Sequence, residues 1–286
     1  PPTGWMAPPA APSNLSVAMQ AGPQSLLQWT DNATNETGYT VQRAANGGGF
    51  STVATLAAGA VSYADSGVTL GTTYAYRVQA FNVAGGSAWA GPVSIDMSPP
   101  SAPSGLASTI ARTAAGPDTV TLAWVNNSSN MTGFTIQRAS NSTFTATLVT
   151  YTTGGGVASY VNAAAHGQTY YYRVLATNVL GASAWSNTTS AATVPATPTN
   201  LRSTARTRTS ITLGWNDISG NETGYQIQRH KAGVATWTNV VTTGANVVKY
   251  VDSGRARNTT FSYRIRGRNG VGSSPWTATL KVSTLP

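Results

Sequence analysis

Cysteine is absent from the 286 residues. That excludes disulfide staples, thiolate zinc sites, iron–sulfur clusters and a cysteine nucleophile, and it leaves stability to packed cores alone. Histidine is nearly absent too: His166 and His230 are the whole supply, which excludes a multi-histidine metal centre. Charged residues make up only 9% of the chain, against roughly 25% in an average soluble protein. The polar surface must then be built from Ser, Thr, Asn, Gln and Gly, a composition common in secreted and cell-surface chains. No apolar run approaches the ~20 residues of a membrane span. No signal peptide is visible, and the start, Pro1-Pro2-Thr3-Gly4-Trp5, lacks an initiator Met, which reads as a mature or excised product. Hydrophobic residues at 41% suffice for packed cores and argue against global disorder.

What is present recurs three times in the same order. Trp29, Trp124 and Trp215 each precede a Gly-aromatic-x-aliphatic-Gln-Arg run: Gly38 to Arg43, Gly133 to Arg138 and Gly224 to Arg229. Tyr63, Tyr160 and Tyr250 follow, then Tyr74-Ala75-Tyr76-Arg77-Val78, Tyr170-Tyr171-Tyr172-Arg173-Val174 and Phe261-Ser262-Tyr263-Arg264-Ile265. Each repeat closes on Asn, Gly and Trp: Asn82, Gly85, Trp89; Asn178, Gly181, Trp185; Asn269, Gly272, Trp276. The period is domain-sized, so these are separate domains rather than solenoid repeats. Tyr74, Tyr76, Val78 and Ala80 alternate with Ala75, Arg77, Gln79 and Phe81, the period of a half-buried strand. No segment carries a sustained helical period. About seven strands in ~90 residues predicts an antiparallel sandwich.

In the order of these motifs the chain resembles the fibronectin type III family over nearly its whole length. The resemblance implies an all-β protein of three tandem seven-stranded, immunoglobulin-like sandwiches, with sheets A-B-E and C'-C-F-G, in a secreted or cell-surface, bacterial setting. The expected boundaries are a Pro-rich linker at 1–12 and domains at 13–98, 99–194 and 195–286. It further implies a tyrosine corner at Tyr74 and Tyr170, whose hydroxyls return to backbone, and none at Phe261. The joins Ser98-Pro99-Pro100-Ser101-Ala102-Pro103 and Val194-Pro195-Ala196-Thr197-Pro198 read as extended, semi-rigid spacers. The whole is expected to be a rod, with the opening Pro1–Pro12 stretch the same kind of join to something upstream.

Catalytic constellations are not expected. Asp31 with Glu36, and Asp217 with Glu222, lie within single B–C loops, where Asp is an ordinary turn former. One such loop offers too few oxygens for the ~6–8 of a calcium site. Asp65, Asn162 and Asp252 are expected to fix local turns, and no histidine is expected to meet an acid beside a nucleophilic serine. Cofactors and metals are expected to play no part. Trp29, Trp124 and Trp215 are expected in the core, and Trp89, Trp185 and Trp276 at the sandwich edge. Trp5, Phe81 and Trp237 remain as candidate ligand contacts.

Charge is the strongest asymmetry. Through Ser98 the net charge is −2, from Pro99 to Pro195 it is +2, and the remainder carries +9. Strand parity predicts that the A–B, C–C' and E–F connections of the third domain share one pole. There Arg206, Arg208, Lys231, Arg255 and Arg257 would converge. Asp31 and Glu36 would form a complementary acidic pole at the other end of the molecule. The expected function is a non-catalytic extracellular spacer, adhesion element or filament subunit; the alternative is an accessory tail of a secreted enzyme acting on polysaccharide. The expected partner is an anionic envelope or extracellular polymer, or a second copy bound head to tail. Nucleic acid is disfavoured, since no recognition motif accompanies the charge.

Overall fold

The computed structural model describes residues 6–113 and 116–286, and Trp5 lies outside them. Among the described residues every helix or strand element is a strand. The first eight are β1 (Ser13–Gln20), β2 (Gln24–Thr30), β3 (Gly38–Ala45), β4 (Ser51–Ala57), β5 (Ser62–Asp65), β6 (Thr73–Asn82), β7 (Gly85–Gly86) and β8 (Ala90–Asp96). They form a three-stranded sheet, β1-β2-β5, and a second sheet ordered β4-β3-β6-β7 with β8 also on β6. These correspond to the expected A-B-E and C'-C-F-G layers. The same pairing recurs in β9 (Ser104–Ala111), β10 (Asp118–Val125), β11 (Gly133–Ala139), β12 (Val149–Gly154), β13 (Ser159–Ala164), β14 (Thr169–Asn178), β15 (Gly181–Ala182) and β16 (Thr189–Ala192). It recurs again in β17 (Thr199–Arg206), β18 (Ser210–Asn216), β19 (Gly224–Lys231), β20 (Thr238–Thr242), β21 (Lys249–Ser253), β22 (Thr260–Asn269), β23 (Gly272–Ser273) and β24 (Leu280–Ser283).

The alternation read from the sequence sets which face is inside. Along β6, Tyr74, Tyr76, Val78 and Ala80 are buried while Ala75, Arg77, Gln79 and Phe81 face outward and are half-buried. Six sheets enclose three separate clusters of buried apolar side chains, each drawing on one three-stranded and one larger sheet. Each cluster contains its tryptophan, packed on the aromatic of the next strand. Trp29 lies 5.7 Å from Tyr39, Trp124 5.2 Å from Phe134 and Trp215 5.6 Å from Tyr225, between ring centroids. Gly38, Gly133 and Gly224 open the third strand of each set. A Cβ there would run into the carbonyl oxygen of Leu56 or Thr153 on the neighbouring strand, or of Thr243 just past it, so the close approach requires glycine.

Tyr74 behaves as the resemblance implies: its hydroxyl accepts the Thr69 N–H at 3.0 Å. Tyr170 does not, for no equivalent bond to the backbone upstream of it is present among the described residues. The connection entering β14 is shorter. Tyr160 and Tyr170 are 10 positions apart where Tyr63 and Tyr74 are 11 apart, so the matching amide is not brought under the ring.

Candidate functional site

Asp65 does hold its turn, its Oδ1 accepting the Gly67 N–H at 2.9 Å. Its second oxygen does more. Asp65 Oδ2 accepts from Arg43 Nη1 at 2.7 Å and from the Tyr76 hydroxyl at 2.9 Å, deep between the two sheets. Asp252 repeats this with Arg229 and with the Tyr263 hydroxyl. In the middle set Asn162 accepts from Arg138 at 2.9 Å, but the buried Tyr172 hydroxyl is left without a partner. The arginine also lies over the ring at the head of the sixth strand: Arg43 over Tyr74 at 4.9 Å and Arg138 over Tyr170 at 4.7 Å. Burial pushes the Tyr76, Tyr172 and Tyr263 hydroxyls far above the ordinary phenol range.

The last tryptophan of each repeat precedes the final strand rather than beginning it, and it covers an arginine rather than an open edge. Arg77 is sandwiched between Phe50 and Trp89, each 4.3 Å from its guanidinium carbon to ring centroid. Arg173 lies between Phe144 and Trp185, each at 4.2 Å. Arg264 lies between Trp237 at 4.2 Å and Trp276 at 4.4 Å. A glutamine one strand over fixes each guanidinium in the plane: Gln42, Gln137 and Gln228 accept two bonds apiece through Oε1. Trp237 is therefore spent on packing, and Phe81 lies across the position a Gly38 side chain would occupy.

A third device ties the chain where one sandwich follows another. Asn130 and Asn178 both donate to the Ser98 carbonyl, at 2.9 and 3.0 Å. Asn221 and Asn269 both donate to the Thr193 carbonyl, at 2.9 and 3.0 Å. Asn35 and Asn82 hold the Ala7 carbonyl at 3.0 and 2.9 Å in the same register. One asparagine comes from the B–C loop and one closes the long strand before the final turn, at the ends of β6, β14 and β22. Leu180, in the turn between β14 and β15, packs against the first apolar cluster. In the first repeat the corresponding residue is Ala84, which is exposed.

The predicted acidic residues serve turns. Asp31 accepts the Ala33 N–H at 2.9 Å and Glu36 the Gly59 N–H at 3.1 Å. The predicted basic residues lie in or beside the β17–β18, β19–β20 and β21–β22 connections. Arg255 N–H bonds the Thr209 carbonyl, joining the A–B and E–F connections, and Leu285 N–H, past the last strand, bonds the Thr207 carbonyl. Two of the five cations lie in strands rather than loops, Arg206 closing β17 and Lys231 closing β19. Arg255 is drawn back to Asp252 at 3.4 Å, and Arg206 reaches the Ser283 carbonyl at 3.5 Å. Arg208, Lys231 and Arg257 have no side-chain bond among the described residues. His166 departs from expectation: its Nε2 lies 3.2 Å from Asp118 Oδ1. Asp118 is fully buried and also accepts the Thr113 and Val194 N–H groups, so the pair closes the A–B turn onto the end of the last strand.

The fibronectin type III domain family model matches residues 10–96 and 196–283. It marks two units where the sequence reading expects three. Exoglucanase B of Cellulomonas fimi is 28% identical over 96% of this chain and 26% of its own length. Chitinase A1 of Niallia circulans is 31% identical over 63% of this chain and 25% of its own length. The chain thus spans about a quarter of the length of these curated relatives. Among solved structures, the FN1-FN3 domains of chicken CNTN1 align over 98% of this chain and all of that one, at 18% identity and a TM-score of 0.32. The two-domain fibronectin type III segment of chicken tenascin aligns over 64% of this chain and 99% of that one, at 15% identity and a TM-score of 0.42. Among the described residues no helix is long and apolar enough to cross a membrane.

Proposed function

Because the chain belongs to the fibronectin type III domain family, we propose that it is a non-catalytic, extracellular connecting module of fixed reach, the accessory tail of a protein that acts on polysaccharide. The observation that carries this is the paired asparagine clamp on the carbonyls of Ser98 and Thr193. A join held by two side-chain amides and an apolar turn residue resists bending more than a free proline-rich tether does. The alignment to Exoglucanase B over 96% of this chain and to Chitinase A1 over 63% supports the setting. Residues 99–194 are proposed as a third sandwich of the same family, supported by the same sheet order around a cluster of their own.

Solution scattering of the intact chain tests the reading. A compact globule of this size has a radius of gyration near ~19 Å, and a clearly larger value is expected. The Asn130→Ala, Asn178→Ala double variant should broaden the distance distribution without shortening it. A radius at the compact limit overturns the spacer.

The second reading is docking through the cations in and beside the third repeat's β17–β18, β19–β20 and β21–β22 connections. Arg206, Arg208, Lys231, Arg255 and Arg257 would bind an anionic envelope polymer, or Asp31 and Glu36 of a second copy head to tail. Reversing Arg206, Arg208, Arg255 and Arg257 to Glu should abolish such binding. Unchanged polymer binding and unchanged self-association in that variant overturn both forms.

A further inference from the structure

The third repeat's excess charge is not confined to its pole. On β22 the outward positions carry Arg264, Arg266 and Arg268, and Lys281 of β24 pairs with outward Ser262 beside them. The matching positions are Arg77, Gln79, Phe81 and Ser94 in the first repeat, and Arg173, Leu175, Thr177 and Ser190 in the second. One cation there has become four. Every carboxylate from 196 to 286 is elsewhere: Asp217 and Glu222 bond backbone amides in and beside the B–C loop, and Asp252 is turned inward to Arg229 and Tyr263. The facing strand presents Gln226, Gln228 and His230.

The guanidinia are held but not neutralised. Arg264 is fixed by Gln228, and Arg266 gives its Nε to Gln226 at 2.8 Å. Both terminal nitrogens of Arg266 and the whole Arg268 fork have no partner among the described residues. Burial, then the fields of Arg268 and Arg264, lower the affinity of Arg266 for its own proton, and a bound anion would oppose that shift. Alternate strand positions place these forks about 7 Å apart on a rigid sheet.

We propose that the outer face of this sheet, Arg264, Arg266, Arg268 and Lys281, is a binding strip for a polysaccharide bearing regularly spaced carboxylates, a polymer of uronic acids. This deepens the reading of the chain as a tail of a polysaccharide-acting protein and rests on it. Arginine forks in a fixed plane suit carboxylates in two-point contact. Single-stranded nucleic acid is less well served, because base stacking needs a free aromatic face. Trp237 is flanked by Arg264 at 4.2 Å and His230 at 4.5 Å, and Trp276 by Arg264 and Arg266 at 4.4 and 4.3 Å. The same occupancy disfavours stacking of a neutral sugar.

The test is titration of the intact chain with polygalacturonate, a neutral β-glucan and single-stranded DNA, read by tryptophan fluorescence and by affinity electrophoresis. Polygalacturonate binding is expected to be the tightest, and to weaken as salt rises past ~0.15 M. The Arg266→Gln, Arg268→Gln variant should lose roughly tenfold or more in affinity. The Arg266→Lys, Arg268→Lys variant keeps the charge and should lose less, with unchanged thermal melting marking both as folded. The Arg206→Glu, Arg208→Glu, Arg255→Glu, Arg257→Glu variant should still bind, the opposite of what docking through the pole requires; loss of polygalacturonate binding in it overturns the strip in favour of the pole. Equal binding by the Gln variant and the parent, stronger binding of DNA or of the neutral glucan, or no binding of polygalacturonate overturns the strip. The scattering measurement decides the spacer independently, so loss of the strip leaves that reading to its own test.

Discussion

Replacing Asn162 by Asp should stabilise the middle set of strands, β9 to β16. In the other two sets the same position is an aspartate that accepts from an arginine and a tyrosine hydroxyl at once. In the middle set Arg138 is already in place at 2.9 Å and the Tyr172 hydroxyl is buried with no acceptor. An aspartate there would add one hydrogen bond to a charged acceptor, worth ~1.5–3 kcal/mol, and a close ion pair with Arg138. Against this stands the cost of burying a carboxylate, which exceeds the Coulombic gain unless its lone pairs are satisfied. With Arg138 and the Tyr172 hydroxyl as donors, a net gain of ~1–2 kcal/mol is expected. The mirror change, Asp65→Ala, strips Arg43 and Tyr76 together and should cost the first sandwich ~3–5 kcal/mol. Hydrogen exchange on the intact chain separates the sandwiches. Amides of β14 should exchange more slowly in Asn162→Asp, and those of β6 faster in Asp65→Ala. Unchanged or faster exchange across β14 in Asn162→Asp would refute the reasoning, since the orphaned hydroxyl would then have been satisfied all along.

Trp124→Ala should cost ~3–5 kcal/mol and melt the middle set of strands first, followed by loss of its near-ultraviolet dichroism; an unchanged transition would remove Trp124 from the core. Gly133→Ala should cost ~1–3 kcal/mol through collision with the Thr153 carbonyl, whereas Gly154→Ala, with open space at its Cβ, should be near neutral; chemical denaturation compares the two. Alkaline pH should unfold the chain. Tyr76, Tyr172 and Tyr263 have raised folded pKa values, so their contribution is complete below the unfolded value of ~10 and is lost as pH climbs beyond it. Phenolate absorbance from these residues should appear only together with loss of the sheet dichroism; ionisation in a still-folded chain would contradict the burial.

The sandwich layers were legible because a repeat with a strand period exposes both the core face and the order of elements. Trp29, Trp124 and Trp215 are named by position alone. The arginine stacks were not legible, because Phe50, Phe144 and Trp237 fall 7, 6 and 8 residues after the matched arginines and so look unrepeated. The buried Arg43–Asp65–Tyr76 contact spans two sheets and gives no local signal; an aspartate after a strand tyrosine looks like a turn former, which it also is. Asn82, Asn178 and Asn269 were visible as a recurrence, but their partners are backbone carbonyls, which leave no mark in a sequence. His166 and Asp118 are 48 positions apart and meet only because the loops entering β10 and β14 share one end.

The clamp on the joins has an evolutionary consequence. All its donors belong to the sandwich downstream, and its acceptor is a main-chain carbonyl that Ala7, Ser98 and Thr193 supply equally well. Substitution of the held residue therefore leaves the lock intact, and selection on the joins falls on length rather than identity. A gene segment cut just upstream of the held carbonyl carries its complete fastening with it. Duplication or insertion at that point would deliver a new unit already equipped to seat itself behind whatever sandwich precedes it.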